Sequence, residues 1–439
     1  MTVGGVAQLR IGQFAESTNH VSEQESMAYA HIVGDENPLH FDSGFAAKSR
    51  FGQKIAPGIL LSGYISGVIG TKLPGAGTLY ESQTLSFRRP VFYGDTITAR
   101  VEVLSFDPLR DRARLRTCCI NQNGECVLEG EAVVLPKRRE TMRLTEILHQ
   151  AECAHTLLSD GSFSVLEQCT RIRAPGAFTY LEDIKYLEAL SDQNITCVAC
   201  TPELKDHLPA HVEGVVLTPM PKLLFFQVHS LLLERKVKQP SIIDSTARIS
   251  PQAYIAPYDV VIGPGTEIEP LAIVGEGTIL GEGVRVCYGA VIGGQSFTSV
   301  RAGEGGFLAP DAGGVRIEKG VEICPNCHIA RGTLELDETV LGAYSKLDAM
   351  VHIGHGTIVG RQTLFAAGTT ISGNCIIGNR VWFGVHSTVS NRIQIGDHAR
   401  ISLGSVVTQD VPEGKTVTGN FAIPHPVFIQ NLKMSTNRG

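Results

Sequence analysis

The stretch that decides the fold is LGAYSKLDAMVHIGHGTIVGRQTLFAAGTTISGNCII, residues 341–377, in which an aliphatic or aromatic residue occupies every sixth position. A period of six fits neither an α-helix nor a β-hairpin. It fits a triangular solenoid, in which each short strand points one side chain inward and a turn follows. The repeat therefore predicts a parallel β-helix with three hexads to a coil and these inward positions: Leu341, Leu347, Ile353, Val359, Phe365, Ile371, Ile377, Phe383, Val389, Ile395, Ile401 and Val407.

The same series begins well before this stretch and is interrupted twice. It starts at Ile243, slips by one residue after Ile255, and continues to Ile292. It breaks over residues 294–316, GQSFTSVRAGEGGFLAPDAGGVR, and after resuming it skips Glu335. We expect the Gly-rich break to be a loop that leaves the solenoid, and its composition leaves a disordered insertion as the alternative.

This repeat resembles the hexapeptide acyltransferases. The resemblance implies a left-handed β-helix that forms trimers, with active sites between neighbouring subunits. It also implies that the loop over residues 294–316 covers a neighbouring subunit's site.

Upstream of the solenoid, residues 1–140 have a different pattern. A helical stretch over about 22–34 leads into GDENPLHFD, and Pro57 and Leu73-Pro74-Gly75 mark the boundaries of a second helix. Alternating strands follow, as in TLSFRRPVF, DTITARVEVL, ARLRTCCIN and CVLEGEAVVL. One long helix wrapped by an antiparallel sheet is the hot-dog fold.

Residues 141–240 form a mixed αβ segment. MRLTEILHQ and FFQVHSLLLERK are predicted helices, and ITCVACT and GVVLTP are predicted buried strands. The expected fold class is multidomain, α+β and all-β. It comprises a hot-dog domain (1–140), a small αβ nucleotide-binding-like domain (141–240), a left-handed parallel β-helix (241–423) and a C-terminal tail (424–439).

Bulk properties exclude several function classes. The net charge of −6 over 439 residues favours neither nucleic acid nor an anionic membrane as a partner. No apolar run approaches the ~20 residues that span a bilayer, and MTVGGVAQLR lacks a signal-peptide pattern. We therefore expect a cytoplasmic protein without a membrane span.

The cysteines are expected to be buried thiols. Two CxxC pairs, Cys197/Cys200 and Cys324/Cys327, have the spacing of zinc ligands, so a four-thiolate site is the alternative. Each pair lies in strand-like apolar sequence, and we expect no metal site.

Residues 29–63 and 70–95, with the motif GDENPLH, resemble the MaoC-like (R)-specific enoyl-CoA hydratases. The resemblance implies that Asp35 and His40 activate water and protonate the α-carbon, while the Gly58 amide holds the thioester oxygen. Pro57 stands where the family usually has histidine, which leaves the acyl preference open. The alternative is that Asp35 only caps a turn and the domain binds thioesters without converting them.

The last 290 or so residues resemble the UDP-3-O-acylglucosamine N-acyltransferases of lipid A biosynthesis, on HIARGTLELDETVLGAYSKLDAMVHIGHGTIVG (328–360) and TGNFAIPHPVFIQNLK (418–433). The resemblance implies His355 as catalytic base and the Gly373 amide as oxyanion donor. Asp348, one hexad back from His355, is the candidate orienting partner. Arg392 aligns with the family's second active-site histidine, and arginine suits phosphate or carboxylate rather than proton transfer. The other solenoid histidines, His352, His386 and His398, are expected to be ordinary surface residues.

GAFTYLEDIKYLEAL (176–190) resembles the segment that sandwiches uracil in that family. Tyr180 and Tyr186 match its two aromatic residues, and Asp183 stands where the family has asparagine. A carboxylate accepts a hydrogen bond from a base N–H but offers no donor. Core tyrosines in a small domain are the alternative.

These patterns together predict a bifunctional enzyme. The first domain would hydrate or dehydrate an enoyl or (R)-3-hydroxyacyl thioester, and the β-helix would transfer a (3-hydroxy)acyl group to a nucleotide-linked amino sugar. We expect no permanently bound cofactor, acyl-CoA or the phosphopantetheine thioester of an acyl carrier protein as co-substrate, and a homotrimer, or a hexamer if the hot-dog domains also pair. The alternatives are O-acyl transfer to a non-nucleotide acceptor, and a hydratase carried on a trimerising scaffold.

Overall fold

The computed structural model describes residues 9–302, 305–419 and 424–436. Residues 1–8, which belong to the N-terminal sequence MTVGGVAQLR, lie outside the described residues. Residues 303–304 of the Gly-rich break and residues 420–423 of the C-terminal motif also lie outside them. The chain folds into two compact units. Unit one holds the chain up to Ile242 with Phe297–Pro310 and Leu334–Leu336, and unit two holds Ile243–Ser296, Asp311–Thr333 and the chain from Asp337 onward.

Unit one begins with an antiparallel sheet in the order β1–β4–β5–β6–β2, with β3 also paired to β6. Along β4, every second side chain from Ile97 to Val103 is fully buried, which is the period-two alternation of a sheet with one covered face. The strands are β1 Phe14–His20, β2 Leu79–Gln83, β3 Ser86–Phe87, β4 Thr96–Asp107, β5 Arg112–Asn121 and β6 Cys126–Leu135.

The covered face of this sheet packs on one long helix. The helices of this domain are α1 Glu23–Val33, α2 Pro38–Phe41, α3 Ser43–Ala47 and the long helix α4 Leu60–Thr71. In α4, the side chains of Leu61, Ile65, Val68 and Ile69 are at most 2% exposed and share one apolar core with β4, β5 and β6. The predicted hot-dog arrangement is confirmed.

The αβ segment of unit one is a five-stranded sheet with a core on each face. Its strand order is Val165–Leu166, Ala177–Leu181, Ile195–Cys200, Gly214–Leu217 and Thr156–Ser159, and only the last pairing is antiparallel. One core includes helix α6, Pro221–Glu234. Smaller elements are strands Met142–Arg143 and Ser162–Phe163, helix α5 Thr145–Leu148, and 3₁₀ helices Ile184–Ser191 and Pro202–His207.

The Gly-rich break in the repeat folds with unit one. Strands Ser299–Val300 and Phe307–Leu308 pair antiparallel, and Val300, Ala309 and Phe307 pack into the core that contains α6. Leu334, beside the skipped Glu335, joins the same core. The alternative of a disordered insertion is therefore wrong for the described residues of this segment.

Unit two is a parallel β-helix of three sheets, as the hexad repeat predicts. The first sheet holds Val261–Ile262, Thr278–Leu280, Gly314–Ile317, Glu338–Leu341, Ile358–Val359, Ile376–Ile377 and Gln394–Ile395. The second holds Arg248–Ile249, Glu267–Ile268, Arg285–Val286, Glu322–Ile323, Lys346–Leu347, Leu364–Phe365, Trp382–Phe383, Arg400–Ile401 and Thr416–Val417. The third holds Tyr254–Ile255, Ile273–Val274, Val291–Gly294, His328–Ala330, His352–Ile353, Thr370–Ile371, Thr388–Val389 and Val406–Val407.

The register of these sheets determines which residues of successive coils are neighbours. Ile353 pairs with Ile371, and Ile371 pairs with Val389, so each coil takes eighteen residues. The inward side chains stack into one apolar core, in which the Phe365 and Phe383 rings lie 4.7 Å apart and nearly parallel. A group at a corner of one coil therefore lies directly beside the group eighteen residues later.

Several solenoid corners hold a non-glycine residue in the left-handed backbone region, which costs L-residues about 1–2 kcal/mol each. The corner amide is often bonded to the preceding coil, as from Gln362 N to Ala343 O at 2.9 Å and from Arg380 N to Arg361 O at 2.9 Å. These bonds between coils hold the corner conformation. Such corners are Asp259, Leu271, Asn326, Tyr344, Met350, Gln362, Asn374, Arg380, His386, Arg392 and His398.

The chain continues beyond the solenoid into helix α7, His425–Thr436. Among the residues that the structure describes, no helix combines the length and the apolar character that crossing a membrane requires.

Candidate active sites

The first candidate site is built around a turn between α1 and α2. Gly34 ends α1 in the left-handed conformation, with φ at 72°, and the chain turns at Asp35. The Asp35 Oδ1 atom accepts the Asn37 N–H at 3.1 Å, and Asn37 in turn caps α2 through Leu39 N–H. This pair of short turns places His40 on the last turn of α2, facing back toward Asp35.

The ring of His40 has a defined tautomer. Its Nδ1 lies 2.8 Å from the carbonyl oxygen of Ile55, and a carbonyl can only accept, so Nδ1 carries a proton. The Nε2 atom lies 3.7 Å from Asp35 Oδ2, and His40 is buried while the Asp35 side chain is 31% exposed. The Tyr93 hydroxyl donates to the His40 carbonyl at 2.9 Å and holds the backbone. Because Nδ1 holds its proton against the carbonyl, Nε2 is the nitrogen that can exchange a proton, and it lies beside the Asp35 carboxylate.

Gly58 lies just before α4 and offers an uncommitted amide. Within the described part of the chain, the Gly58 N–H has no hydrogen-bond acceptor, whereas its carbonyl accepts the Leu61 N–H at 3.2 Å. A Cβ at this position would lie 2.8 Å from the Phe87 ring, so only glycine fits without displacing that ring. Ile59, the N-cap of α4, makes no side-chain cap, which leaves the positive helix end open to a ligand oxygen.

The second candidate site lies at a solenoid corner. His355 follows strand His352–Ile353, and Gly373 occupies the same corner one coil later. A Cβ built on Gly373 would lie 2.6 Å from His355 Nε2, so this nitrogen faces the Gly373 backbone directly. No acceptor for the Gly373 N–H is present among the described residues. His355 Nε2 therefore lies beside the Cα of a residue whose N–H has no acceptor among the described residues.

The surroundings of His355 keep its ring neutral. Burial lowers the pKa of His355, the carboxylates of Asp311 and Asp337 oppose that shift, and the positive charge of Arg392 adds to it. The net pKa lies below the ordinary histidine value. Arg392 itself is exposed at a corner where its backbone N–H donates to Gly373 O at 3.1 Å, so it lies beside Gly373.

The structure does not bring Asp348 to the His355 ring of the same chain. The Asp348 carboxylate accepts the N–H of Ala349 at 2.7 Å and caps its own turn. Asp348 follows a strand of the second sheet, whereas His355 follows a strand of the third, so the two lie at different corners of the coil. The acidic residues whose charge acts on His355 are Asp311 and Asp337.

The sequence analysis missed a group of buried polar residues on the Nδ1 side of His355. Thr333 Oγ1 lies 3.5 Å from that nitrogen, and behind it lie Ser296 and Asp311, all of them buried. Ser296 and Asp311 lie within the interruption over residues 294–316 and Thr333 lies just before the skipped Glu335, where no period marks an inward or outward position. The one feature that could have indicated them is a polar residue beside an apolar one where the repeat is interrupted, as at Ser296 and Thr333.

The surface interpretation is wrong for one of the other histidines. His352 is partly buried and its ring stacks on His328 at 5.1 Å between centroids, with the two Nδ1 atoms 3.2 Å apart. The pairing arises because both residues occupy the outward position of neighbouring strands in one sheet. His386 and His398 are exposed, as expected.

The structure does not bring the two predicted base-binding tyrosines together, because they pack into the cores on opposite faces of the αβ sheet. Tyr180 contacts the Phe225 ring at 5.0 Å between centroids, and Tyr186 packs against the core on the other side of the sheet. Asp183 caps the 3₁₀ helix through Lys185 N–H, and its Oδ2 lies 2.8 Å from Lys185 Nζ. These two hydrogen bonds hold the pKa of Asp183 below its usual value. The Lys185 ammonium also lies 4.9 Å from the Tyr186 ring centroid.

Both CxxC pairs consist of free cysteines. Burial raises the pKa of Cys197 to about 12, of Cys200 to about 11 and of Cys327 to about 12, so these are thiols at neutral pH. Over residues 9–302, 305–419 and 424–436, no cluster of three or more His, Cys, Asp or Glu side chains is arranged to hold a metal ion.

Comparison with known proteins divides the chain in the same way. The MaoC-like domain family matches residues 9–117, and the bacterial transferase hexapeptide family (six repeats) matches residues 259–294. The 3-hydroxybutyryl-CoA dehydratase of Methylorubrum extorquens is 44% identical over 30% of this chain and 84% of its own length. The (R)-specific enoyl-CoA hydratase of Aeromonas caviae is 42% identical over 29% of this chain and 94% of its own. The UDP-3-O-acylglucosamine N-acyltransferase of Granulibacter bethesdensis is 33% identical over 60% of this chain and 84% of its own.

Proposed function

We propose that this chain, whose first domain belongs to the MaoC-like (R)-specific enoyl-CoA hydratases and whose remainder belongs to the UDP-3-O-acylglucosamine N-acyltransferases, catalyses two successive thioester reactions. The first domain interconverts an enoyl thioester and its (R)-3-hydroxyacyl form. The β-helix then transfers the 3-hydroxyacyl group to the amino group of a nucleotide-linked sugar. The observation that supports the second activity is a His355 of lowered pKa whose Nε2 lies beside Gly373, a residue whose N–H has no acceptor among the described residues.

In the hydration reaction, Asp35 and His40 act on water as a pair. The Nε2 of neutral His40 takes the proton as the water oxygen bonds to the β-carbon of the conjugated thioester. Negative charge then develops on the thioester oxygen, where the Gly58 N–H and the start of α4 stabilise it. The His40 imidazolium, paired with the Asp35 carboxylate, then returns its proton to the α-carbon, which completes the (R)-3-hydroxyacyl thioester, and the same groups serve in reverse for dehydration.

In the transfer reaction, His355 is the general base. Its Nε2 removes the surplus proton of the acceptor amine as the amine nitrogen attacks the thioester carbonyl. The Gly373 N–H stabilises the tetrahedral oxyanion. When the intermediate collapses, the C–N amide bond remains, the C–S bond breaks, and the His355 imidazolium returns a proton to the thiolate that leaves.

The proposed acceptor is a nucleotide-linked amino sugar, and each unit by itself offers residues suited to part of it. In the αβ domain, the Tyr186 ring provides apolar surface for a base, and Lys185, 4.9 Å from that ring, supplies the hydrogen-bond donor that the Asp183 carboxylate lacks. Arg392, which borders the transfer site, binds phosphate or a carboxylate of the acceptor.

The two reactions share one intermediate, because the 3-hydroxyacyl thioester that the first domain produces is the acyl donor for the β-helix. The donor is a thioester of CoA or of an acyl carrier protein, and no permanently bound cofactor takes part. We also propose a cytoplasmic enzyme that assembles as a homotrimer, or as a hexamer if the hot-dog domains pair. Mass measurement in solution tests the assembly, and a stable monomer would contradict it.

The decisive experiment separates the two activities by mutation. Purified protein is incubated with enoyl-CoA, and loss of the enoyl absorbance is followed. A second assay mixes 3-hydroxyacyl donors with UDP- and dTDP-linked amino sugars and detects the amide product by mass spectrometry. We expect His355→Ala to abolish transfer and leave hydration intact, and Asp35→Asn to do the reverse.

The matched control is His386→Ala, which removes an exposed histidine from another corner of the same solenoid. We expect this variant to keep both activities. If His355→Ala transfers acyl groups at the parent rate, the assignment of His355 is wrong. Hydration without transfer to any acceptor would favour the scaffold interpretation of the β-helix.

A further inference from the structure

A continuous set of buried polar groups leads away from the ring of His355. Thr333 Oγ1 lies 3.5 Å from His355 Nδ1, and Ser296 Oγ lies 3.2 Å from Thr333 Oγ1. Ser296 Oγ then donates to Asp311 Oδ1 at 2.6 Å, and the Ser296 N–H donates to Asp311 Oδ2 at 2.5 Å. Ser296, Thr333 and Asp311 are 5%, 2% and 7% exposed, so solvent does not compete for these bonds.

The direction of the protons along this set follows from counting donors. The Asp311 carboxylate accepts at both oxygens, so the single hydroxyl proton of Ser296 is used there. Because Ser296 Oγ uses its proton on Asp311, the hydrogen bond between the Thr333 and Ser296 hydroxyls has Thr333 as its donor and Ser296 as its acceptor. Thr333 has then spent its own proton, so its oxygen accepts from His355 Nδ1–H.

This polarity decides which nitrogen of His355 is basic. With the proton on Nδ1, the neutral ring has its lone pair on Nε2, and Nε2 is the atom that faces Gly373. A ring with the opposite tautomer would present an N–H to the acceptor amine and could not take its proton. Lowering of the His355 pKa by burial keeps the ring in a neutral form, for which the choice of tautomer matters.

We propose that Asp311, Ser296 and Thr333 form a buried hydrogen-bond relay that fixes the Nδ1–H tautomer of His355 and so presents a basic Nε2 to the acceptor amine. These are positioning residues, since none of them touches the reacting atoms. The proposal rests on the role of His355 in the proposed function. It is distinct from the charge effects of Asp337, Arg392 and His352, which also face the ring.

The sharpest test is Asp311→Asn, because this substitution reverses the direction of the hydrogen bonds along the relay and does not remove them. An asparagine amide keeps an oxygen for the Ser296 N–H but directs its NH₂ group at Ser296 Oγ. Ser296 then donates to Thr333, and Thr333 donates to Nδ1, which leaves the proton on Nε2. We expect kcat for acyl transfer to fall by about 10³-fold or more, with the hydratase activity unchanged, as for other enzymes whose catalytic histidine is held in the wrong tautomer.

A direct readout accompanies the kinetics. In ¹⁵N NMR spectra of the imidazole at neutral pH, we expect the parent His355 to show the Nδ1–H form and Asp311→Asn to show the Nε2–H form. A structural defect alone would not invert the tautomer. A parent enzyme with the Nε2–H form would overturn the proposal whatever the kinetics.

Variants at Thr333 provide an independent arm if Asp311→Asn does not fold. Thr333→Val removes the hydroxyl and should lower kcat by about 10- to 100-fold, whereas Thr333→Ser keeps it and should restore most of the activity. The matched control is Thr363→Val, which deletes a buried hydroxyl bonded to Gly378 O at another corner and should leave kcat unchanged. Equal activities of Thr333→Val and Thr333→Ser would refute the relay.

The outcomes also distinguish this inference from the proposed function. If His355→Ala leaves transfer intact, the proposed function has failed. If His355→Ala abolishes transfer while folded Asp311→Asn and Thr333→Val act at the parent rate, the base stands and the relay is wrong.

Discussion

Substitution of Gly373 by alanine tests the geometry of the transfer site with a single methyl group. The added Cβ would lie 2.6 Å from His355 Nε2 and 2.8 Å from Cδ2, well inside van der Waals contact. The backbone of Gly373 is not in the left-handed region, so alanine suits its conformation and the strand pairing around it. The main effect is therefore local: the His355 ring must move, and the space between base and amide is filled.

The magnitude follows from how far the ring must move. A Cβ and a ring nitrogen need roughly 3.4 Å, so Nε2 shifts by most of an ångström, and a misplacement of about 1 Å at a catalytic group costs about 10²-fold. We expect kcat/KM for acyl transfer to fall at least about 100-fold, which corresponds to about 2.7 kcal/mol of transition-state stabilisation. The hydratase rate should be unchanged, because its residues lie in the other unit.

The assay compares both activities of Gly373→Ala with those of Gly419→Ala. A Cβ on Gly419 would meet nothing within 4 Å, so this control adds the same methyl group without a clash. Circular dichroism and thermal unfolding verify that both variants fold. If folded Gly373→Ala transfers acyl groups within about threefold of the parent rate, His355 Nε2 and the Gly373 amide do not form the reacting centre.

Three further predictions concern stability and pH. Phe383→Ala removes a fully buried ring that stacks on Phe365, and should lower the free energy of unfolding of the solenoid by about 3–5 kcal/mol in a denaturant titration; a loss below 1 kcal/mol would contradict the packing. Gly67→Ala adds a methyl group into open space on α4, so the unfolding free energy of the hot-dog domain should rise by about 0.5–1 kcal/mol, and a lower melting temperature would contradict this. Because the pKa of His355 is lowered, the base stays deprotonated as the pH falls to about 6.5, and kcat/KM for transfer should decline only below that value; a decline that begins near pH 7.5 would show that another group controls the reaction.

The repeat could be predicted from the sequence because every inward position is defined by a local period. Ile353, Ile371 and Val389 are eighteen residues apart in sequence and adjacent in one ladder, so period and contact are the same observation. The hot-dog helices were equally local: Ser22 caps α1, Gly34 ends it, and Asn37 caps α2. Where a contact follows from residues close together in sequence or from a fixed period, the sequence is sufficient to predict that contact.

The surroundings of His355 could not be predicted, because they are set where the repeat is interrupted. Asp311 and Ser296 meet only because residues 297–310 leave the solenoid and return between them. Counting hexads through such a break does not give the register, and counting back from His355 to Asp348 selects the wrong corner. The prediction that His352 is a surface residue failed for a related reason, since its partner His328 lies a longer interval away than one regular coil.

The left-handed corners of the solenoid have a consequence for how such an enzyme can change its substrate. At Gln362, Arg380 and Arg392, the backbone conformation is held by a bond from the corner amide to the coil before, and the side chain takes no part in that bond. Each corner is therefore a position at which evolution can exchange one unbranched side chain for another without refolding the solenoid. Arg392 is such a corner and also borders the proposed transfer site, so a single substitution there would change the contact that we propose for the acceptor and leave His355 and Gly373 in place.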